Sequence, residues 1–278
     1  MEQIKGLYRI SRPFTTLTGA LAVVLGGYVA GTGEWFNVLL AVIATILVSA
    51  SANAWNDYLD IEIDRINQPG RPLPSGQVSP RAAKWYSFGL AALSLLVAAF
   101  INLPSFFIVL SANLLLYIYS LKLKSTVLLG NMVVAFTSAM SAVFGGIAAG
   151  NAKPTIWLFS IIFVGILGRE VLKTLADYEG DLSESVRTIS TVWGRKAARI
   201  VFYVLVLATV VMMLMPYMLE IYQPIYAYLI LLGVVPVIIF IVFRVSRYRT
   251  GPQLEKLSQL MKYDFLLWFV AVLLGAAV

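Results

Sequence analysis

No cysteine and no histidine occur among the 278 residues, and only 14 side chains are acidic. The missing cysteines exclude disulfides, a thiolate nucleophile and thiolate-bound metal. The missing histidines remove the usual general base and the commonest transition-metal ligand. Any metal must then be held by oxygen, which favours Mg2+, Mn2+ or Ca2+. Charge is scarce too: 13% of residues are charged, 60% are hydrophobic and the mean hydropathy is +0.84. A soluble domain carries roughly twice that charge, so the composition is that of an integral membrane protein. A net charge of +7 raises nucleic acid as a partner, but in so apolar a chain the placement of the charges decides.

What is present is a series of long apolar runs. Nine stand out, at about 14–30, 36–55, 85–101, 105–121, 127–149, 156–176, 200–218, 225–243 and 265–277. They are apolar all round and near the length of a spanning helix rather than a barrel strand. The expected fold is therefore an all-α polytopic membrane protein with nine transmembrane helices in a single domain. Basic residues orient it. Of the 21 Lys and Arg, only Lys153 falls in an outer connection if the N-terminal end is inside. That places the N-terminal end in the cytoplasm and the C-terminal end outside, and turns the basic charge into a membrane-surface feature with no nucleic-acid role. The first twelve residues are too charged at their end for a cleaved signal peptide. Spans 14–121 and 127–243 each group four helices, which suggests a parallel internal repeat with a ninth helix left over.

The few acids are concentrated. Residues 53–71 read NAWNDYLDIEIDRINQPGR and gather Asp57, Asp60, Glu62 and Asp64 directly after an uncharged run at 37–52. A second group, Asp177, Glu179 and Asp181, closes the sixth span. Carboxylates at the end of an apolar helix are costly unless a cation neutralises them. On a continuous helix, positions four apart nearly eclipse, so Asn56, Asp60 and Asp64 form one row, with Asn53 and Asp57 on the same broad stripe. Glu62 points away, toward solvent. Arg169, Lys173, Asp177 and Asp181 form a second row. Both rows end at the cytoplasmic face, and the reading is that they face each other. Such oxygens suit Mg2+, which takes one or two carboxylates plus substrate phosphate and water; Lys173 would meet a phosphate oxygen. The alternative, two solvated helix ends, leaves the paired rows unexplained.

The intervening loop contains Pro69, Pro72, Pro74 and Pro80 with Gly70 and Gly76, which excludes a continuous helix until Pro80 starts the next one. It reads either as a lid that carries Arg65 and Arg71 over the acids, or as a plain connection with inside arginines. Tyr117, Tyr119, Lys122 and Lys124 end the fourth span, either as an aromatic belt with inside lysines or as side chains reaching a diphosphate. Gly130, Gly145, Gly146 and Gly150 of the fifth span are equally packing positions or a substrate wall. Arg244, Arg247 and Arg249 read as an orientation signal that contacts anionic lipid.

N-D-x-x-D-x-x-x-D at 56–64 and D-x-x-x-D at 177–181, in a chain of nine spans, resemble the UbiA superfamily of intramembrane prenyltransferases. The likeness covers essentially the whole chain, and residues 53–76 are similar to the archaeal digeranylgeranylglyceryl phosphate synthases of that family. The resemblance implies that Asn56, Asp60, Asp64, Asp177 and Asp181 bind Mg2+ and prenyl diphosphate beside a lipid-accessible cavity. Arg71 and Lys173 match basic positions that hold the diphosphate. A Y-x-x-x-K element described for the family does not fit, because lysines follow Tyr119 at 122 and 124. The implied reaction is ionisation of geranylgeranyl diphosphate and capture of the allylic cation by geranylgeranylglyceryl phosphate in ether-lipid synthesis, with Asp57 a candidate base for the acceptor hydroxyl. Two rivals remain: an aromatic acceptor, as in quinone or haem side-chain prenylation, and a cation-coupled transporter. Transporters place their ionisable groups near the midplane rather than at one face.

Overall fold

The structure, a computed structural model, describes residues 2–31, 33–248 and 250–276; Arg249 and the last residue of the ninth run, Ala277, lie outside them. Regular structure among the described residues is entirely helical. Eight helical segments are long and apolar enough to cross a membrane, and a shorter apolar helix at Thr16–Val29 supplies the ninth. The chain divides into two compact units, residues 1–124 with 141–154, and residues 125–140 with 155–278.

Unit 1 begins with α1 (Glu2–Ile10), which buries Gly6 and Ile10. Arg12 then takes the left-handed conformation, φ 49°, and Pro13 opens α2 (Pro13–Val29). Proline is at no disadvantage there, because the first turn's N–H groups have no intrahelical partner. α3 (Trp35–Leu59) is followed by the short α4 (Ile61–Asn67). α5 (Pro80–Ala99) is capped by the Ser79 hydroxyl, and α6 (Leu103–Ile118) by the Asn102 side chain. α6 continues as a π turn, Tyr119–Leu123. α7 (Leu129–Ala148) contributes its second part to this unit.

The helices of unit 1 approach closely because the buried faces are small. Ala41, Ala44, Ser51 and Ala54 of α3 are all fully buried. At the α2–α7 crossing the backbones touch: a Cβ on Gly26 would stand 1.9 Å from the Ala142 carbonyl oxygen, and one on Gly145 2.0 Å from that of Val23. Where lipid offers no hydrophobic drive between helices, such close van der Waals contact is what holds them together. Gly145 is thus a packing position, which decides between the two readings of it above.

Unit 2 is built on α8 (Ile156–Ala176), followed by the short α9 (Tyr178–Ser183) and α10 (Ile189–Val192). α11 (Gly194–Met218) packs along α8. The next span is composite: α12 (Pro224–Leu229), a π turn at Ile230–Val234 and α13 (Val235–Arg247) with Pro236 in its first turn. α14 (Gly251–Gly275) packs on α8, α12 and α13. Its start corrects the sequence reading, which began the ninth helix at 265 and left 244–264 as an inner loop. The charged residues Glu255, Lys256, Lys262 and Asp264 break the apolar run, yet Leu254, Leu257, Met261 and Asp264 form a buried stripe at helical spacing. α8 and α14 run antiparallel: Gly251 sits on the Ala176 carbonyl, Arg169 Nε donates to the Ser258 carbonyl at 3.3 Å, and the Phe265 ring covers Gly165.

Candidate active site

α3 stops at Leu59 because Asp60, a poor helix former, leaves the helical region at φ −88°, ψ 7°. The chain pivots there without losing its hydrogen bonds: Asp60 N–H donates to Asn56 O at 2.9 Å and Asp64 N–H to Asp60 O at 2.8 Å. The row of Asn56, Asp60 and Asp64 is therefore not one straight ladder but two helical pieces hinged at Asp60.

Each acid of the 57–64 stretch has a cation. Lys124 Nζ lies 2.5 Å from Asp60 Oδ2, which also accepts from Asn56 Nδ2 at 2.9 Å. Arg71 Nη1 lies 2.7 Å from Asp64 Oδ2 and 3.8 Å from Asp57 Oδ1. Arg12 Nη2 donates to Asp57 Oδ1. Asp57 and Asp64 are buried, and Asp60 half-buried. Glu62 and Arg65 pair with one another at 2.7 Å, both exposed, so Arg65 is turned away from the acids and only Arg71 of the loop arginines engages them.

The loop holding Arg71 is tightly tied. Leu73 and Val78 are buried with Ile10, Ala54 and Ala83. Val78 N–H donates to Pro72 O at 2.9 Å, and Gly76 turns the chain at φ 76°, where a side chain would be strained. α1 clamps it from outside, Arg9 donating to Gln77 Oε1 at 2.9 Å and to Gly70 O at 3.2 Å.

The π turn accounts for the unmatched tyrosine–lysine spacing. Lys124 N–H donates to Tyr119 O at 2.9 Å, so one turn here takes five residues, and Lys124 follows Tyr119 as a residue four along would in an α-helix. Lys124 thereby reaches Asp60, while Lys122 is exposed and Tyr119 half-buried. Tyr117 is an internal group rather than a belt residue: its ring stacks on Trp55 at 5.0 Å, and its hydroxyl lies 3.0 Å from Ser51 Oγ and 2.5 Å from Ser87 Oγ.

Unit 2 repeats the local plan. α8 stops at Ala176, Asp177 pivots at φ −85°, ψ 2°, and Asp181 N–H donates to Asp177 O at 2.8 Å. Lys173, one turn before Asp177, points to Glu170 Oε2 at 3.2 Å, and Arg169 Nη1 reaches Glu170 Oε1 at 3.0 Å. The anticipated row of Arg169, Lys173, Asp177 and Asp181 thus has its two cations bound to a buried acid that the sequence reading passed over. The surrounding protein desolvates the Asp177 carboxyl and pushes it above the ordinary range, opposed by Lys173 and reinforced by Glu255 and Glu170. Glu179 is exposed, 3.5 Å from Arg195.

Three charged residues that interact with the candidate site went unnoticed in the sequence: Arg12, Glu170 and Lys262, the last within electrostatic range of Arg169 and Lys173. Glu170 carried a signal, an acid inside an apolar run. Arg12 and Lys262 carried little, being basic residues where inside basic residues are expected.

The donor set fits Mg2+ in one form. No group of three or more acids is close enough to cage a metal among the described residues. The oxygens are hard, and they come in ones and twos, which is how Mg2+ is held when substrate phosphates complete its shell.

The UbiA prenyltransferase family matches residues 14–277. The chain belongs to that family. Membership makes it a prenyltransferase and removes the transporter reading. The digeranylgeranylglyceryl phosphate synthase of Thermococcus kodakarensis is 34% identical over 278 residues, 99% of each chain. That of Methanopyrus kandleri is 36% identical over 215 residues, 77% of this chain and 79% of its own. A solved digeranylgeranylglyceryl phosphate synthase aligns with a TM-score of 0.81 at 29% identity, covering 99% of both chains. A UbiA homologue from Archaeoglobus fulgidus bound to GPP and Mg2+ shares the fold, with a TM-score of 0.68 at 21% identity over 96% of this chain and 99% of its own.

Proposed function

We propose that this member of the family transfers a geranylgeranyl group from geranylgeranyl diphosphate to the free hydroxyl of geranylgeranylglyceryl phosphate, giving digeranylgeranylglyceryl phosphate. The carrying observation is likeness to digeranylgeranylglyceryl phosphate synthases over the full length of the chain, with a separate cation beside each acid of 57–64. Both groups of acids serve one turnover, at the cytoplasmic face that the lysine and arginine bias indicates.

When bound, Mg2+ would neutralise the departing diphosphate and lower the barrier to ionisation; Asn56, Asp60, Asp64, Asp177 and Asp181 would hold it. The allylic C–O bond breaks with its electron pair leaving on diphosphate, and the acceptor oxygen forms the new C–O bond and loses its proton. Arg71 and Lys124 stand beside the acids, so an arriving diphosphate meets donors already aimed at anions. Lys173 plays the same part next to Asp177. Asp57 is read as an anchor rather than a proton acceptor. Arg12 and Arg71 converge on its Oδ1, so we assign it to positioning Arg71 in place of the base role.

The test is purified protein with labelled geranylgeranyl diphosphate and a panel of acceptors. Ether-lipid product is expected with geranylgeranylglyceryl phosphate, abolished by EDTA, and reduced at least about 100-fold in Asp60→Ala and in Asp181→Ala. Product only with an aromatic acid such as 4-hydroxybenzoate would overturn the acceptor assignment. Near-normal turnover in both variants would overturn the site.

A further inference from the structure

Arg71 is the only basic residue of the 68–78 loop, and its guanidinium is held at two nitrogens. Nη1 donates to Asp64 Oδ2 at 2.7 Å, and Nε donates to the side-chain oxygen of Gln68, Oε1, at 3.1 Å. A guanidinium is planar and rigid, so fixing Nε and Nη1 also fixes the direction of Nη2. The main chain is pinned at the same place: Arg71 N–H donates to Gln68 O at 3.0 Å, and Ser75 N–H donates to Arg71 O at 3.0 Å. Gln68 thus grips Arg71 twice, through its backbone carbonyl and through its side chain. The turn is braced from α1 as well. Arg9 spans the loop, with Nη2 on the Gly70 carbonyl at 3.2 Å and Nη1 on Gln77 Oε1 at 2.9 Å. Gln77 Nε2 donates in turn to Glu2 Oε2 at 3.2 Å. The brace has a firm footing, because a Cβ on Gly6 would stand 2.4 Å from Val78 Cγ2, and Ile10 packs with Ala54 and Leu73.

These contacts contribute little to stability. Gln68, Gly70 and Arg9 are exposed, and a hydrogen bond between exposed groups replaces one that water would make. What they restrict is a long, flexible side chain. Arginine has a large rotamer entropy, and a ligand that must immobilise it loses affinity by that amount. An arginine already held in one plane spares an incoming anion that loss. The chemistry of the partner also matters. A neutral amide oxygen on Nε orients the cation without cancelling its charge, as a second carboxylate there would. We infer that Gln68 and Arg9 are positioning residues for the prenyl diphosphate donor: Gln68 sets the plane of the Arg71 guanidinium, and Arg9 holds the turn from which it projects. This rests on the role given above to Arg71, which is the group that meets the diphosphate; Gln68 and Arg9 act through it.

The experiment uses the full chain in lipid nanodiscs with Mg2+, geranylgeranyl diphosphate and geranylgeranylglyceryl phosphate. Gln68→Leu keeps the bulk and removes the acceptor, and should raise KM for the donor by about three- to tenfold, the equivalent of one modest hydrogen bond. Arg9→Ala should act in the same direction, and it carries the test if Gln68→Leu does not fold. For both, kcat and acceptor KM should stay within about twofold of the parent and the melting temperature within about 2 °C, as for surface substitutions. A general structural defect would move all of these together. The decisive readout is a double-variant cycle: in an Arg71→Gln protein, adding Gln68→Leu or Arg9→Ala should leave donor KM unchanged, because no guanidinium remains to orient. A parental donor KM in both single variants, an equal rise in donor and acceptor KM, or effects that multiply in the cycle would overturn this assignment while the proposed function stands. If Arg71→Gln itself keeps the parental donor KM, Arg71 does not hold the diphosphate, and this inference falls with that role. If the unsubstituted protein forms no product from this substrate pair, the proposed function itself has failed.

Discussion

Replacing Arg12 is the perturbation whose size the structure fixes best. Its guanidinium meets the Asp57 carboxylate, whose side chain is 5% exposed against 36% for Arg12. Removing one partner of a fully buried pair costs about 3–5 kcal/mol, because the other charge is left desolvated. Two features reduce that figure. Arg12 is one-third exposed, so part of the pair's energy is screened, and Arg71 Nη1 remains 3.8 Å from the same oxygen. Arg12→Gln should therefore cost about 2 kcal/mol. For a chain of this size, that lowers the melting temperature by roughly 4–8 °C. Asp57→Asn removes the charge that Arg12 neutralises, and with it most of the penalty of the first change. The double variant should then fall short of additivity by about 1–2 kcal/mol. Arg12→Gly offers a second check, since Arg12 sits at φ 49°, a conformation that costs a side-chain-bearing residue about 1–2 kcal/mol. It should be less destabilised than Arg12→Gln. Thermal unfolding in a mild detergent, followed by intrinsic tryptophan fluorescence, gives all four values. An Arg12→Gln protein that melts with the parent, or singles that add to the double within about 0.5 kcal/mol, would refute the coupling.

Other outcomes follow from the same geometry. Lys124→Ala should raise KM for prenyl diphosphate by about tenfold or more, as the loss of a charge-assisted contact implies, whereas Lys122→Ala should match the parent; equal effects would mean the π turn does not choose between them. Gly26→Val places a side chain where even a Cβ would be 1.9 Å from the Ala142 carbonyl, and should cost more than about 3 kcal/mol, the upper end of ordinary overpacking; normal yield and melting in detergent would show that α2 and α7 are not backbone-packed. Desolvation raises Asp177, so its ionised form opposes folding once the pH exceeds the ordinary carboxylate range, and the stability that comes with protonation is lost as pH rises through the folded-state value. Asp177→Asn should accordingly melt no lower than the parent at neutral pH in EDTA while turnover falls sharply; a clear drop in melting temperature would show that the charged form is structurally required.

The run lengths and the acid spacing carried most of the fold, because a lipid-facing helix must be apolar on nearly all sides and says so in sequence. The ninth helix was the exception. Its first half buries Leu254, Leu257 and Met261 at helical spacing, but Glu255, Lys256 and Lys262 interrupt the apolar run, and a search for uninterrupted apolar stretches could not see it. The pivots at Asp60 and Asp177 were invisible for a different reason. Each keeps its i, i+4 hydrogen bonds, so periodicity reads straight through a change of direction. The pairing of Arg12 with Asp57 bridges residues 45 apart in the chain, a contact set by tertiary packing rather than by any local pattern. The tyrosine–lysine mismatch was legible as an anomaly, and only the backbone explained it.

That backbone feature bears on how the chain can change length. A helix that must keep a tyrosine and a lysine on one side normally tolerates neither insertion nor loss between them, since each residue turns all that follows by about 100°. The π turn at Tyr119–Leu123 stores one residue out of register. Deleting Leu121 would leave Lys124 four places after Tyr119, so the segment could relax to an ordinary α-helical turn with the lysine still beneath the tyrosine. Relatives that differ by one residue here could therefore present the same lysine to the same acid, and alignments that force the lysines into one column would hide that they do.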